Sequence, residues 1–151
     1  MKAKIIAATL LAATAFGTVI GAGQAVAEDR QKLVTIVTAA EPQTQLMAMV
    51  LTMQAAQQGA SVHIMLCGPA ADIALKEAPD SATAGQPPRG MSPQGLMQTI
   101  REKAGATVEV CAIYLPGKGL EPAALLDGVG VAKPEEMAAR ILDPATRILD
   151  F

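Results

Sequence analysis

The chain has almost no aromatic residues: Phe16, Tyr114 and Phe151 are the whole set, and tryptophan is absent. Single-stranded nucleic acid is held largely by bases stacked on aromatic rings, so that class of binding has no platform here. Nor is there a basic run to neutralise a row of phosphates, with 12 Lys and Arg against 14 Asp and Glu in 151 residues. Histidine occurs once, as His63, and no serine stands in a nucleophile-elbow context, which ranks hydrolytic enzymes lowest. No GxGxxG follows the first predicted strand and no Walker sequence occurs, so nucleotides and flavins lack their usual backbone cradle. CxxC pairs, paired histidines and methionine repeats are missing as well, and with them the common metal-site signatures. No cofactor and no metal is expected.

What is present begins with a leader. Lys2 and Lys4 precede an uncharged stretch over 5–22, and Ala25-Val26-Ala27 comes just before the acidic pair Glu28-Asp29. A charged start, an apolar middle and a small-residue site are the pattern of a secretory signal peptide, with cleavage expected after Ala27. About 18 apolar residues are borderline for a membrane anchor, the rival reading, and Ala, Gly and Thr make this stretch only weakly hydrophobic. The expectation is an exported protein, periplasmic or secreted, with no membrane association after cleavage. Residues 28–151 form one domain of 124 residues carrying ten basic and fourteen acidic side chains, a net charge of −4.

That domain reads as strands alternating with helices. The β-branched run at 33–38 (LVTIVT) predicts a strand buried on both faces. Glu41-Pro42 starts a helix over 43–58, with Leu46, Met49, Val50, Met53 and Ala56 at helical spacing and Gly59 as its stop. Its methionines, Met47, Met49 and Met53, are expected to be core packing, as methionine is an ordinary gap-filler. A second strand, 61–66 (SVHIML), follows through a short link, and strand, helix, strand with such links implies parallel pairing. His63 in mid-strand is read as a packed side chain.

Helical pieces at 69–76, after Ser92-Pro93 to residue 104, at 121–126 and at 134–142 alternate with strands at 107–111, 129–132 and 147–151. Met137, Ala138 and Ile141 are expected to face inward. Residues 78–91 read as a loop of about 14 residues with Arg89 as a solvated charge, long enough for a lid or subunit contact. The sum is a five-stranded parallel sheet covered on both faces, a flavodoxin-like doubly wound domain of expected order 2-1-3-4-5.

The stretch that carries chemistry is TVEVCAIYLPGKGL, residues 107–120. It puts Cys111 at the carboxyl end of a buried strand, where open α/β sheets bind ligands, with Lys118 a few residues on as the cation expected to support its thiolate. Cys67, ahead of Gly68-Pro69, ends the second strand in the same way, and the start of a helix there would lower its pKa. Two cysteines in an oxidising compartment are also read simply as a disulfide. In the expected order their strands flank the first and lie about 9.6 Å apart, so the loops would have to bend for a bond that needs Cα atoms within about 7 Å. A functional Cys111 thiol, a Cys67–Cys111 disulfide, a pair that opens and closes, and two unconnected buried thiols all stay open.

A strand ending in Cys, about seven residues to a basic-Gly pair, then a short helix, a brief strand, a helix and a closing apolar strand resembles the DsrE/TusD family of sulfur-relay proteins. The likeness runs through LVTIVT, SVHIML with Cys67-Gly68, VEVCAIYLPGKGL and TRILDF. The resemblance implies a domain that takes a sulfane sulfur on one cysteine as a persulfide and passes it to a partner thiol, within a homo-oligomer or hetero-oligomer. By position Cys111 matches the transfer cysteine. The implied partners are donor and acceptor proteins or small sulfur compounds. Whether the chain is an enzyme stays open, since not every member keeps working cysteine chemistry. The other class of reading is a non-catalytic binding or structural module, taking a small ligand or a thiophilic metal such as Cu(I) through Cys67, Cys111 and Met65.

Overall fold

A computed structural model describes residues 30–151; the expected leader over 1–27 lies outside the described residues. Five strands, β1 (Lys32–Val37), β2 (Ser61–Leu66), β3 (Thr107–Val110), β4 (Gly130–Val131) and β5 (Thr146–Asp150), form one all-parallel sheet. Helices lie on both sides of the sheet, a flavodoxin-like α/β arrangement. Among the described residues no helix is long and apolar enough to cross a membrane.

The strand order is β4-β3-β2-β1-β5, not the expected 2-1-3-4-5. The reason lies in the two long helices, α1 (Pro42–Gln57) and α3 (Pro93–Ala104), which pack on each other. Right-handed crossovers place two successive helices on one face only when the chain keeps winding in one direction. Thus β2 follows β1 and β3 follows β2 outward, and the return to β5 beside β1 carries α5 (Pro134–Leu142) to the opposite face. β2 is thereby central, with Val62, His63, Ile64 and Leu66 buried, while β5 is an edge with most of its side chains exposed.

The alternation along each strand sorts the core into two layers. Val37, Val62, Ile64, Leu66, Val108 and Val110 face α1 and α3, where Met49, Met97 and Ile100 close the larger cluster. A smaller cluster of Val34, Ala132 and Met137, with Ile36 and Met65 against it, lies under α5. On the first face Thr35 and Thr52, both fully buried, share a 2.7 Å hydroxyl pair that ties β1 to α1 and leaves neither oxygen unpaired.

The helix ends follow their sequence signals. Glu41 caps α1, its carboxylate accepting from the amides of Gln43 (2.9 Å) and Thr44 (2.6 Å), which holds its pKa below the usual carboxylate value. Ser92 caps α3 by accepting from Gly95 N at 3.1 Å, and Gly105 ends it at φ +66°.

Several short elements depart from expectation. Residues 69–76 form a 3-10 helix, Gly68–Ala74, after which Leu75 turns extended to bridge Leu125. The expected loop over 78–91 contains a one-turn helix, α2 (Asp80–Thr83), because Ala82 finds a fully buried seat there, and a Gln86–Met91 bridge closes its far end. The expected helix over 121–126 is a single 3-10 turn, Pro122–Ala124. On α5 only Met137 is buried; Ala138 and Ile141 are exposed because this one short helix does not cover its face of the sheet. Of the α1 methionines, Met49 is fully buried and Met53 partly, while Met47 is half-exposed.

Candidate functional site

The carboxyl ends of β2 and β3 are neighbours, with Leu66 paired to Val110. One residue further on, Cys67 and Cys111 stand opposite each other and form a disulfide, Cα to Cα 5.1 Å. The expectation that two strand widths separate them fails with the strand order: adjacent parallel strands lie about 4.8 Å apart, within reach of a bond with no bending of loops. Ladder hydrogen bonds hold both backbones in place, Cys67 N donating to Val37 O and Cys111 N to Leu66 O, each at 2.9 Å. Both cysteines are half-buried.

Cys111 also lines an apolar recess of about 340 Å³ under α5, with Met65, Ile113, Ala132, Met137 and Ile141. Ile113 projects beside it, 83% exposed. Larger hollows of about 450 and 460 Å³ run along α1 between Val50, Arg89 and Met91, away from the cysteines. Arg89 is exposed there, as expected of a loop charge.

The segment after Cys111, expected as an apolar turn, is a helical turn, α4 (Tyr114–Lys118). Pro116 falls within its first turn, where a missing amide proton costs nothing, and Gly119 ends it at φ +65°. This turn aims Tyr114 and Lys118 at Asp72 on the 3-10 helix that follows Cys67. Tyr114 donates its phenol proton to Asp72 Oδ1 at 2.7 Å, and Lys118 Nζ lies 2.9 Å from Oδ1 and 3.3 Å from Oδ2. The ammonium also sits 5.9 Å from the centre of the Tyr114 ring. Burial, then the bond to Asp72, pushes the phenol pKa well above its usual value. The structure therefore places Lys118 on Asp72, and Asp72 latches together the two segments that leave the two cysteines.

Sequence reading missed Asp72 and Tyr114. The signal available was that the chain's one tyrosine falls three residues after Cys111; nothing in the sequence marks Asp72 as its partner.

Tyr114→Phe is expected to lower stability by about 2 kcal/mol, since a buried phenol loses its bond to a carboxylate. Lys118→Met should cost under about 1 kcal/mol, because that ion pair is half-exposed. Denaturant unfolding of the two variants checks both, and equal losses would remove the latch.

His63 lies on the same sheet face as the cysteines, two pleats from Cys67 toward the amino end, and is 3% exposed. Its Nε2 is 3.0 Å from Glu109 Oε2 but out of line for a hydrogen bond, and neither ring nitrogen has one. Burial, then the charge of Arg140, brings its pKa down to about 4. Among the described residues no group of three or more His, Cys, Asp and Glu is placed to hold a metal ion. Joined to each other, the two sulfurs offer no thiolate to one.

No family model matches the sequence, and no curated protein matches it. Among solved structures, the YchN protein from E. coli superposes with a TM-score of 0.62 at 18% identity, over 81% of this chain and 99% of that one. The protein of unknown function MTH1491 from Methanobacterium thermoautotrophicum gives 0.55 at 12% identity, over 82% and 100%. The fold is DsrE-like. At such identities the likeness is one of architecture, and the chemistry at the adjoining ends of β2 and β3 rests on this chain's own residues.

Proposed function

We propose that the protein is an exported sulfur carrier of DsrE-like fold in which Cys111, in the reduced state, accepts a sulfane sulfur as a persulfide and passes it to the thiol of a partner. The observation that carries this reading is the position of Cys111: one residue past a buried strand, half-buried, and lining an apolar recess open to a small donor. In the loading step the Cys111 thiolate attacks the terminal sulfur of an inorganic polysulfide. The Cys111 persulfide forms and the donor leaves one sulfur shorter, still an anion. In the passing step a partner thiolate attacks the outer sulfur and Cys111 leaves as thiolate. Lys118 is paired with Asp72, so its part at this site is to hold the segment after Cys111 in place rather than to add net charge beside the sulfur.

The test is intact-mass measurement of reduced protein after exposure to polysulfide. Wild type should gain one sulfur and Cys111→Ser none; equal gain by both would end this reading. A second reading, a binding or structural module stapled by its disulfide, draws support from the bond itself. Under that reading the Cys67–Cys111 bond stays closed in thiol buffers that reduce exposed disulfides.

A further inference from the structure

We infer that Cys67 is the resolving thiol of this site, which discharges the Cys111 persulfide as hydrosulfide when no acceptor arrives. The inference rests on the proposed loading of Cys111 and adds a fate for the bound sulfur.

It stands on how the two sulfurs are held. The Leu66–Val110 register sets Cys67 opposite Cys111, and the ladder bonds from Cys67 N and Cys111 N fix both backbones at the sheet rim. Downstream, Asp72 joins the 3-10 helix after Cys67 to α4 after Cys111 through Tyr114 and Lys118. A second tie runs from Leu126 N to Ala74 O and from Lys76 N to Ala124 O, with the Leu75–Leu125 bridge between them. None of these contacts involves the sulfurs, so opening the disulfide leaves the two thiols side by side. The two cysteines differ in what reaches them: Cys111 lines the recess and Cys67 does not. A donor in the recess therefore meets Cys111, with Cys67 waiting across the rim.

The step balances without an outside oxidant. The Cys67 thiol gives up its proton, and its thiolate attacks the Cys111 sulfur of the persulfide. The bond between Cys111 Sγ and the outer sulfur breaks, and its electron pair leaves with the outer sulfur, which takes up the proton as hydrosulfide. The Cys67–Cys111 bond forms. Two thiols have been oxidised to a disulfide and one sulfane sulfur reduced to sulfide; a dithiol reductant reopens the pair for another cycle. The state in this structure is then the discharged one. Hand-off to an acceptor competes with an attack that is already positioned, and positioning of this kind raises the rate of an otherwise bimolecular step by several orders of magnitude.

The experiment starts from protein reduced and freed of reductant, loaded briefly with inorganic polysulfide, desalted, and followed for both mass and free sulfide. Wild type should lose the added sulfur, release one equivalent of sulfide per chain, and end two hydrogens lighter than the reduced chain. Cys67→Ser should hold its added sulfur at least roughly a hundredfold longer, and should release it on addition of a small thiol. Wild-type release should also be independent of protein concentration, a measurement that needs no variant. Wild type holding its sulfur as long as Cys67→Ser, or release that speeds up with protein concentration, would overturn the resolving role while leaving Cys111 as a carrier. Equal loading of Cys111→Ser and wild type would instead remove the reading beneath it.

Discussion

Reduction of the Cys67–Cys111 disulfide is expected to lower the unfolding free energy by about 4 kcal/mol. The bond joins residues 44 apart in sequence, and opening a loop of that length returns to the unfolded chain conformational freedom worth about 4 kcal/mol at 25 °C in the chain-entropy treatment. For a domain of this size that is a fall of roughly 10 to 15 °C in Tm. None of the native contacts around the bond uses the sulfurs: the β2–β3 ladder, the buried Val108 and Val110 side chains and the Asp72 latch are all made by other atoms. Reduced protein should accordingly remain folded at room temperature, as a carrier that works in the reduced state requires. Urea unfolding with and without a phosphine reductant measures the difference. Cys67→Ser should match reduced wild type under both conditions, and coincident wild-type midpoints would mean that the bond contributes nothing to the native state.

Acidification should destabilise the protein through His63 before its carboxylates take part. The folded pKa is about 4 because the imidazole is buried on the central strand and faces Arg140, whereas an unfolded histidine titrates near about 6.5. Between these values the unfolded chain holds more protons than the folded one, so stability falls as pH falls. The contribution is complete above about pH 6.5 and is lost at about 1.4 kcal/mol per pH unit down to pH 4, about 3.5 kcal/mol in all. That is a ceiling. Glu109 stands 3.0 Å from Nε2 and would favour the imidazolium, opposing the burial that disfavours it. His63→Leu should flatten the stability profile over this window, leaving only the losses below pH 4.5 that come with protonating carboxylates such as Asp143, whose pKa is lowered by Lys32 and the Ala145 amide. A wild-type profile already flat from pH 6.5 to 4.5 would show that Glu109 outweighs burial.

Much of the architecture was legible in the residues. LVTIVT announces a buried strand because a β-branched run with no polar face fits only where both sides of a sheet are covered, and SVHIML follows as the second strand of a βαβ unit through a short link. The Glu41-Pro42 and Ser92-Pro93 starts and the Gly59 and Gly105 stops bracket α1 and α3 to within a residue, since helix ends are decided by local hydrogen bonding. Cys111 at a strand end was readable for the same reason: the run Thr107, Val108, Val110 is followed at once by residues that leave the ladder. The short elements were less legible. Ala82 in α2 and Leu75 after the 3-10 helix take conformations set by the burial their neighbours offer, and α4 forms over a Pro-Gly pair that by itself signals a turn. Ile141 and Ala138 have the spacing of an inward face, but the face they meet is not wide enough to bury them.

Local sequence determined that strands and helices alternate, that the strands run parallel, and that a cysteine follows directly on each of β2 and β3; each of these rests on hydrogen bonds and side-chain alternation within a few residues. The tertiary structure decided which strands are neighbours, because α1 and α3 bury their apolar faces against each other only when the chain winds one way from β1 through β3. From that choice came the meeting of Cys67 with Cys111 at 5.1 Å and of Asp72 with Tyr114 and Lys118. These are contacts between residues more than forty apart, and no local pattern encodes them.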